Sequence, residues 1–279
     1  MMAMRHAGTV LLLLACIGAT PVNDGVKIRR KLDANADNSY HVEGALTQSI
    51  TPPNGIAQSS TATVTADYDL EDGDEPQDGK LPITMKVKHL SVLSSPPSEG
   101  DVKDMKVQLK AKVDELNNLT DVSISGLSRE DRALASLISR MAQGPGTFSP
   151  DEVKPGDSWS VAEQASLLGS KQLEYKLRYD GEQKEGDDTY WALSADEDVP
   201  LEVDLGAMED PDAQVPGAPK IVMKGTVHIA AKVLLNKDGQ LHSMQFETKA
   251  NVTLDTPNAN GQIQVASDEV LTIKEANDQ

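Results

Sequence analysis

The amino-acid sequence predicts a mainly β protein: long antiparallel strands forming an open or partly closed barrel or curved sheet, with one amphipathic helix packed on it. Three observations predict it. From about Asn38 onward, apolar and polar residues alternate through most of the chain, the period-two signature of strands with one buried face. The alternating runs are separated by segments rich in Pro, Gly, Ser and acidic residues, which read as loops. One stretch alone, with Leu134, Leu137, Ile138 and Met141 at i, i+3, i+4 and i+7, changes to the spacing of a helix.

The first segment reads as a targeting signal. Arg5 and His6 make a short polar start, and residues 7–19 are an apolar stretch ending in small residues. That stretch is too short for a bilayer, which needs about 20 residues, but suits a signal-peptide core. Within it, Leu13-Leu14-Ala15-Cys16 looks like a bacterial lipobox, with small Ala15 before the cut and the thiol of Cys16 as acceptor of the lipid. The alternative is an ordinary signal cut after Ala19, which discards Cys16. The expected divisions are a signal peptide (1–15), an anchor site and linker (16–30), a first β half (31–126), the helix (127–143), a connection (144–156) and a second β half (157–275). Residues 31–275 are expected to form one folded unit.

In the first β half Tyr40, Val42, Leu46 and Ile50 share a face, as do Ala62, Val64, Ala66, Tyr68 and Leu70. Ile83, Met85 and Val87 follow, then Val107, Leu109, Ala111 and Val113 alternating with lysines and glutamine, and finally Val122 and Ile124. The helix has Ser128 as N-cap, Glu130 and Asp131 in its first turn, Arg140 in its last, and Gly144-Pro145 as a stop. In the second half Leu173, Tyr175, Leu177 and Tyr179 alternate with charged residues, and Trp191, Leu193 and Ala195 continue the pattern.

Asp238-Gly239 suits a two-residue type I′ hairpin turn. Such a turn places Val233 opposite Met244, Ala231 opposite Phe246, Ile229 opposite Thr248 and Val227 opposite Ala250, while Lys232 and Gln245 pair on the reverse face. A slip by one residue destroys that agreement. The halves also match at a shift of 120 residues, where Val107, Leu109, Ala111, Lys112 and Val113 meet Val227, Ile229, Ala231, Lys232 and Val233. Alternating strands share such matches by chance as well as by duplication.

With 26 basic against 44 acidic residues and a formal net charge of −18, the chain repels nucleic acid and anionic headgroups, so neither is an expected partner. Cys16 is the one cysteine, so the domain beyond it has no disulfide and no thiolate chemistry. The five histidines are scattered, and no His-x-x-x-His, nucleophile elbow or glycine-rich phosphate loop is present. These features point away from an enzyme and call for no cofactor. Asp33, Asn35 and Asp37 alternate as calcium-loop oxygens do, but the expected loop glycine is Asn38 and position twelve is Gly44 instead of Glu. A polar turn before the first strand is the simpler account. Aromatic residues are only 3% of the chain, too few for a sugar platform, and Trp159 and Trp191 read as core anchors.

Val153-Lys154-Pro155-Gly156-Asp157-Ser158-Trp159 forms a Val-x-x-Gly-Asp-Ser-Trp segment between the two β-rich halves. In that segment and in layout the chain resembles a group of uncharacterised bacterial secreted or lipid-anchored proteins, which implies a β-rich fold and no catalytic residues. More distantly it is similar to the open barrels of periplasmic lipoprotein carriers and of mycobacterial lipid-binding lipoproteins. The expectation is a non-enzymatic envelope lipoprotein that binds or carries a lipid or other apolar ligand, attached to the membrane through Cys16. In that case Leu134, Leu137, Ile138 and Met141 act as a lid over the ligand. The alternative is a structural or protein-interaction module whose sheet face the helix simply fills.

Overall fold

The structure, a computed structural model, describes residues 25–32, 37–53, 55–97, 101–127, 132–164, 172–204, 222–255 and 261–276. The strands are β1 (Asp37–Thr51), β2 (Gln58–Asp72), β3 (Lys80–Ser95), β4 (Val107–Asp114), β5 (Leu119–Ser125), β6 (Ser158–Gln164), β7 (Gln172–Glu185), β8 (Asp188–Asp204), β9 (Val222–Leu235), β10 (Leu241–Asp255) and β11 (Gln262–Glu275). Helix α1 (Arg132–Gln143) lies between β5 and β6. The strands form one curved, unclosed antiparallel sheet in the order β5-β4-β3-β2-β1-β11-β10-β9-β8-β7-β6. First and last strands therefore meet at the centre, with Tyr40 opposite Glu275 and Thr51 opposite Gln264, and the mid-chain strands β5 and β6 are the free edges. The order sets two five-stranded meanders, β1–β5 and β6–β10, side by side in the same sense, with β11 between them. That is an arrangement a tandem duplication leaves, and the apolar residues matching at a shift of 120 face the core on β4 and β9, while the matching Lys112 and Lys232 lie on the outer face.

Period-two alternation puts the apolar set on one face. Tyr40, Val42, Tyr68, Leu81, Ile83, Met85, Leu109, Leu193, Val233, Phe246, Leu271 and Ile273 are all buried there. Tyr40 and Tyr68, opposite one another on β1 and β2, stack with ring centroids 5.0 Å apart. Their hydroxyls donate to Leu241 O (2.9 Å) and Met141 O (3.2 Å), so neither buried phenol is unsatisfied. Burial pushes both phenol pKa values well above the usual range. Toward the opposite end of the central strands this face opens. Gly44, Leu46 and Gln48 on β1, Val64 and Ala62 on β2, and Val265 and Ile263 on β11 are only half-buried, and Ile50 is 39% exposed.

The β9–β10 register is the expected one: Val233–Met244, Ala231–Phe246, Ile229–Thr248 and Val227–Ala250, with Lys232 and Gln245 exposed behind. The turn is different. Gly239 N donates to Asn236 O and Asn236 N to Gln240 O, and only Gly239 has positive φ (73°). This is a three-residue loop closed by a glycine bulge, which shifts the pairing by one. A second irregularity between Leu241 and Ser243 shifts it back, so the two offsets cancel.

The expectation of a linker over residues 16–30 needs correcting from Gly25 on. Residues 25–32 form an extended strap across the end of the sheet where β1 begins. Val26 exchanges two backbone hydrogen bonds with Val153, Arg30 N donates to Glu115 O and Lys31 N to Asp238 O. Ile28 is fully buried, and Arg30 Nη2 meets Asp72 Oδ1 at 2.8 Å with both side chains at 5% exposure or less. The strap lies so close to the hairpin loop that a Cβ on Gly239 would stand 2.1 Å from Arg29 O. Hydrophobic periodicity is silent about such a segment, because it pairs edge-on with turns.

Candidate functional site

The Val-x-x-Gly-Asp-Ser-Trp segment is architectural. Val153 pairs with the strap, and Asp157 N donates to Lys154 O across a Pro155-Gly156 turn with Gly156 at φ 97°, the geometry of a type II turn. The Asp157 carboxylate accepts from Lys154 N, and Trp159 Nε1 donates to Thr147 O at 2.8 Å. The Asp157 carboxylate closes the turn, and the Trp159 indole holds the start of β6 against the helix connection.

The candidate site is the concave face around α1. The helix starts later than the expected 127, since Leu127 is not helical and residues 128–131, with the expected cap and acidic first turn, lie outside the described residues. Its C-terminal half is sealed. Ile138 and Met141 are buried, Gly144 N closes the last turn on Arg140 O, and Asn117 Nδ2 donates to Gln143 O and Gly146 O, satisfying carbonyls a helix end leaves open. Leu134 and Leu137 are half-buried, and Leu137 packs against the core. The expected stripe is thus split between two fully buried residues and two half-buried ones.

On its flank, Ser136, Ser139, Arg140 and Gln143 form a polar stripe at i, i+3, i+4 and i+7. They face Val161 and Ala162 of β6 and Tyr175 of β7 across a crevice of about 90 Å³. Arg140 Nη1 meets Glu269 Oε1 of β11 at 3.0 Å, and its guanidinium carbon stands 4.4 Å from the Phe246 ring centroid. Phe246 in turn meets Tyr175 edge to face at 6.2 Å. A second cavity, of about 20 Å³, lies at the helix C-terminus among Arg30, Tyr40, Tyr68 and Met141 and has room for about one water. A larger groove, about 970 Å³, runs over the polar outer face between β7 and β11, with Arg178, Lys232 and Lys274 among its lining residues.

Sequence reasoning treated Arg140 as a helix-end residue and passed over Glu269. The available signal was a break in alternation: Ile263, Val265, Leu271 and Ile273 mark the inward face of β11, and Ser267 and Glu269 interrupt it with polar groups at inward positions.

Cys16, Asp33 and Asn35 lie outside the described residues, and Asp37 is an exposed residue opening β1. Residues 37–44 of the suggested calcium loop are extended strand paired on one or both sides, which leaves that part of the pattern straight instead of curled round an ion. Among the described residues no group of three His, Cys, Asp or Glu is placed to hold a metal. The four described histidines instead pair with carboxylates: His41 with Asp67 (2.7 Å), His89 with Asp104 (2.6 Å), His228 with Asp198 (3.0 Å) and His242 with Glu275 (2.9 Å). No helix among the described residues is long and apolar enough to cross a membrane.

No protein-family model and no curated relative matches the chain. Among solved structures, it is similar to DynF from the dynemicin biosynthesis pathway of Micromonospora chersina, at 6% identity over 91% of this chain and 90% of that one, with a TM-score of 0.22. A superposition that slight carries nothing about function.

Proposed function

We propose that this protein is a non-enzymatic component of the bacterial cell envelope that binds or carries a lipid or other apolar ligand, and that a lipid on Cys16 attaches it to a membrane. The observation that carries the reading is the gradient along the concave face. Aliphatic positions are buried beside the sealed half of α1 and only half-buried toward the opposite end of the central strands, at Leu46, Val64 and Val265. A chain-like ligand laid there removes apolar surface from water, at about 25 cal/mol per Å².

A second reading, a structural or protein-interaction module with a filled core, is favoured by the small cavities beside α1. Both are well below the roughly 300–1,000 Å³ of ligand pockets. Leu137→Ala separates the two. In a carrier it costs less than the ~2–5 kcal/mol of a close-packed leucine and weakens uptake of cis-parinaric acid. Urea unfolding and probe titration on the same samples check both effects. Full destabilisation, with no saturable binding by the wild type, replaces the carrier with the scaffold.

A further inference from the structure

We infer that the end of the sheet away from the strap, the tip of the β1–β2 hairpin with the adjoining ends of β3, β10 and β11, docks on the surface of a neutral lipid bilayer. There the concave face takes up or delivers its ligand; this last step rests on the carrier reading. The first observation is a charge pattern. Charged residues are 25% of the chain and its net charge is −18, yet from Gly44 to Ala66 there is no Asp, Glu, Lys, Arg or His. Leu90 to Pro97 and Thr256 to Ser267 are uncharged as well. Alternation does not require this, since outward positions elsewhere are charged, as Glu174, Lys176 and Arg178 are on β7.

Pairing gathers these stretches into one surface. Thr61–Thr65 of β2 lie opposite Ser91–Ser95 of β3, and Ser49–Thr51 of β1 opposite Gln264–Ala266 of β11. A Cβ on Gly261 would stand 2.9 Å from Pro53 Cβ, so the loop before β11 touches the loop after β1. Asp255, the one acid between Ala250 and Ser267, accepts from Gln262 Nε2 at 2.6 Å. Five neighbouring strand ends at ~4.8 Å spacing make a surface roughly 19 Å wide.

Second, three of the four exposed large hydrophobic residues among the described ones are here: Ile56 (69%), Ile50 (39%) and Leu93 (38%). Third, the loop suits a water-poor layer. Pro52 and Pro53 have no N–H to desolvate, and Gly55 N donates to Pro52 O at 2.9 Å. The polar side chains around it are Ser, Thr, Asn and Gln, which cost far less to dehydrate than ions. Fourth, the half-buried Leu46, Val64 and Val265 lie directly behind the tip on the concave face. Leu46 is four residues from Ile50, about 13 Å along β1, so an acyl chain leaving the bilayer reaches them without crossing charged surface. The acidic remainder of the molecule is repelled by anionic headgroups, which makes a neutral lipid surface the partner that this tip fits.

The test is flotation of residues 17–279 with phosphatidylcholine vesicles. This chain lacks the lipidated cysteine and the apolar leader but keeps every described residue. Having no native cysteine, it also takes a single nitrobenzoxadiazole label at Ile56→Cys or at Asp74→Cys, an exposed position at the strap end. The expected result is flotation of the unlabelled chain, with blue-shifted emission from the label at 56 and none from the label at 74. Ile56→Asp should weaken partition at least tenfold, with an unchanged circular dichroism spectrum because the side chain is exposed. No flotation, equal response of both labels, or an Ile56→Asp variant that floats like its parent overturns the docking surface. Self-association abolished by Ile56→Asp, without flotation, overturns it too and gives the tip to a second copy. Uptake of cis-parinaric acid in solution separates the two readings. Uptake without docking overturns the docking surface alone, and docking without uptake overturns the carrier alone.

Discussion

Replacing Arg30 with methionine tests whether the strap is held by its buried ion pair. Arg30 and Asp72 are 5% and 2% exposed, with one N–O contact of 2.8 Å, and Arg30 stands beside Tyr40, Tyr68 and Leu70. Methionine keeps much of the volume but leaves the Asp72 carboxylate buried without its guanidinium. Breaking one side of such a pair costs about 3–5 kcal/mol, because the remaining charge keeps its desolvation penalty and loses the opposite charge that offset it. Against a total stability of about 5–15 kcal/mol, that is a third or more of what holds a domain together. The double variant Arg30→Met/Asp72→Leu removes both charges and should return to within about 1 kcal/mol of wild type, or exceed it. Urea unfolding followed by the fluorescence of Trp159 and Trp191 reads all four corners of the cycle. A single variant within about 1 kcal/mol of wild type, or a double variant no more stable than the single, refutes the reasoning. Such a result would leave Ile28 and the backbone bonds as what fastens the strap.

Three further outcomes are expected. Val233→Asp should destabilise by several kcal/mol by burying an unpaired charge, while Lys232→Asp, one residue away on the outer face, should cost about 1 kcal/mol or less; comparable sensitivity would show the register to be wrong. His41 should titrate above its ordinary value of 6.5, because the hydrogen bond its ring N–H donates to the Asp67 carboxylate favours its protonated form. It therefore holds a proton more tightly folded than unfolded, and the pair's contribution to stability is complete below about pH 6.5 and lost as pH rises through the folded value. An NMR titration midpoint at or below 6.5 for His41, or no fall in Asp67→Asn, contradicts this. Cys16→Ser should move the protein from the membrane to the soluble fraction without lowering its melting temperature, and membrane retention would end the lipoprotein proposal.

The parts of the fold legible in the sequence were those with a short repeat. The β9–β10 register was readable although the turn was misjudged, because parity is set by which side chains must be buried and the bulge near His242 restores it. The stripe of α1 was readable for the same reason, at a period of 3.6. What had no repeat was hidden. The pairing of β1 with β11 spans the whole chain, and an alternating strand carries no mark of its partner. The strap has no periodic face, and its one buried cation, Arg30, looks from the sequence like part of a solvated basic run, Arg29-Arg30-Lys31. Arg140 was hidden by a sound default, since a charged residue in the last turn of a helix usually faces water.

The central pairing of β1 with β11 has a consequence for how the chain reaches its native state. As the polypeptide emerges N-terminus first, β2 to β5 can each add to the strand before it, but β1 keeps an unpaired edge until residues 262–275 have appeared. For the whole of synthesis, a strand of fifteen residues offers its N–H and C=O groups to any other extended chain. The step that seals it closes a loop of more than two hundred residues, which makes folding slow for topological reasons and not for want of local order. A protein built this way depends on being kept apart from its copies until its last strand arrives.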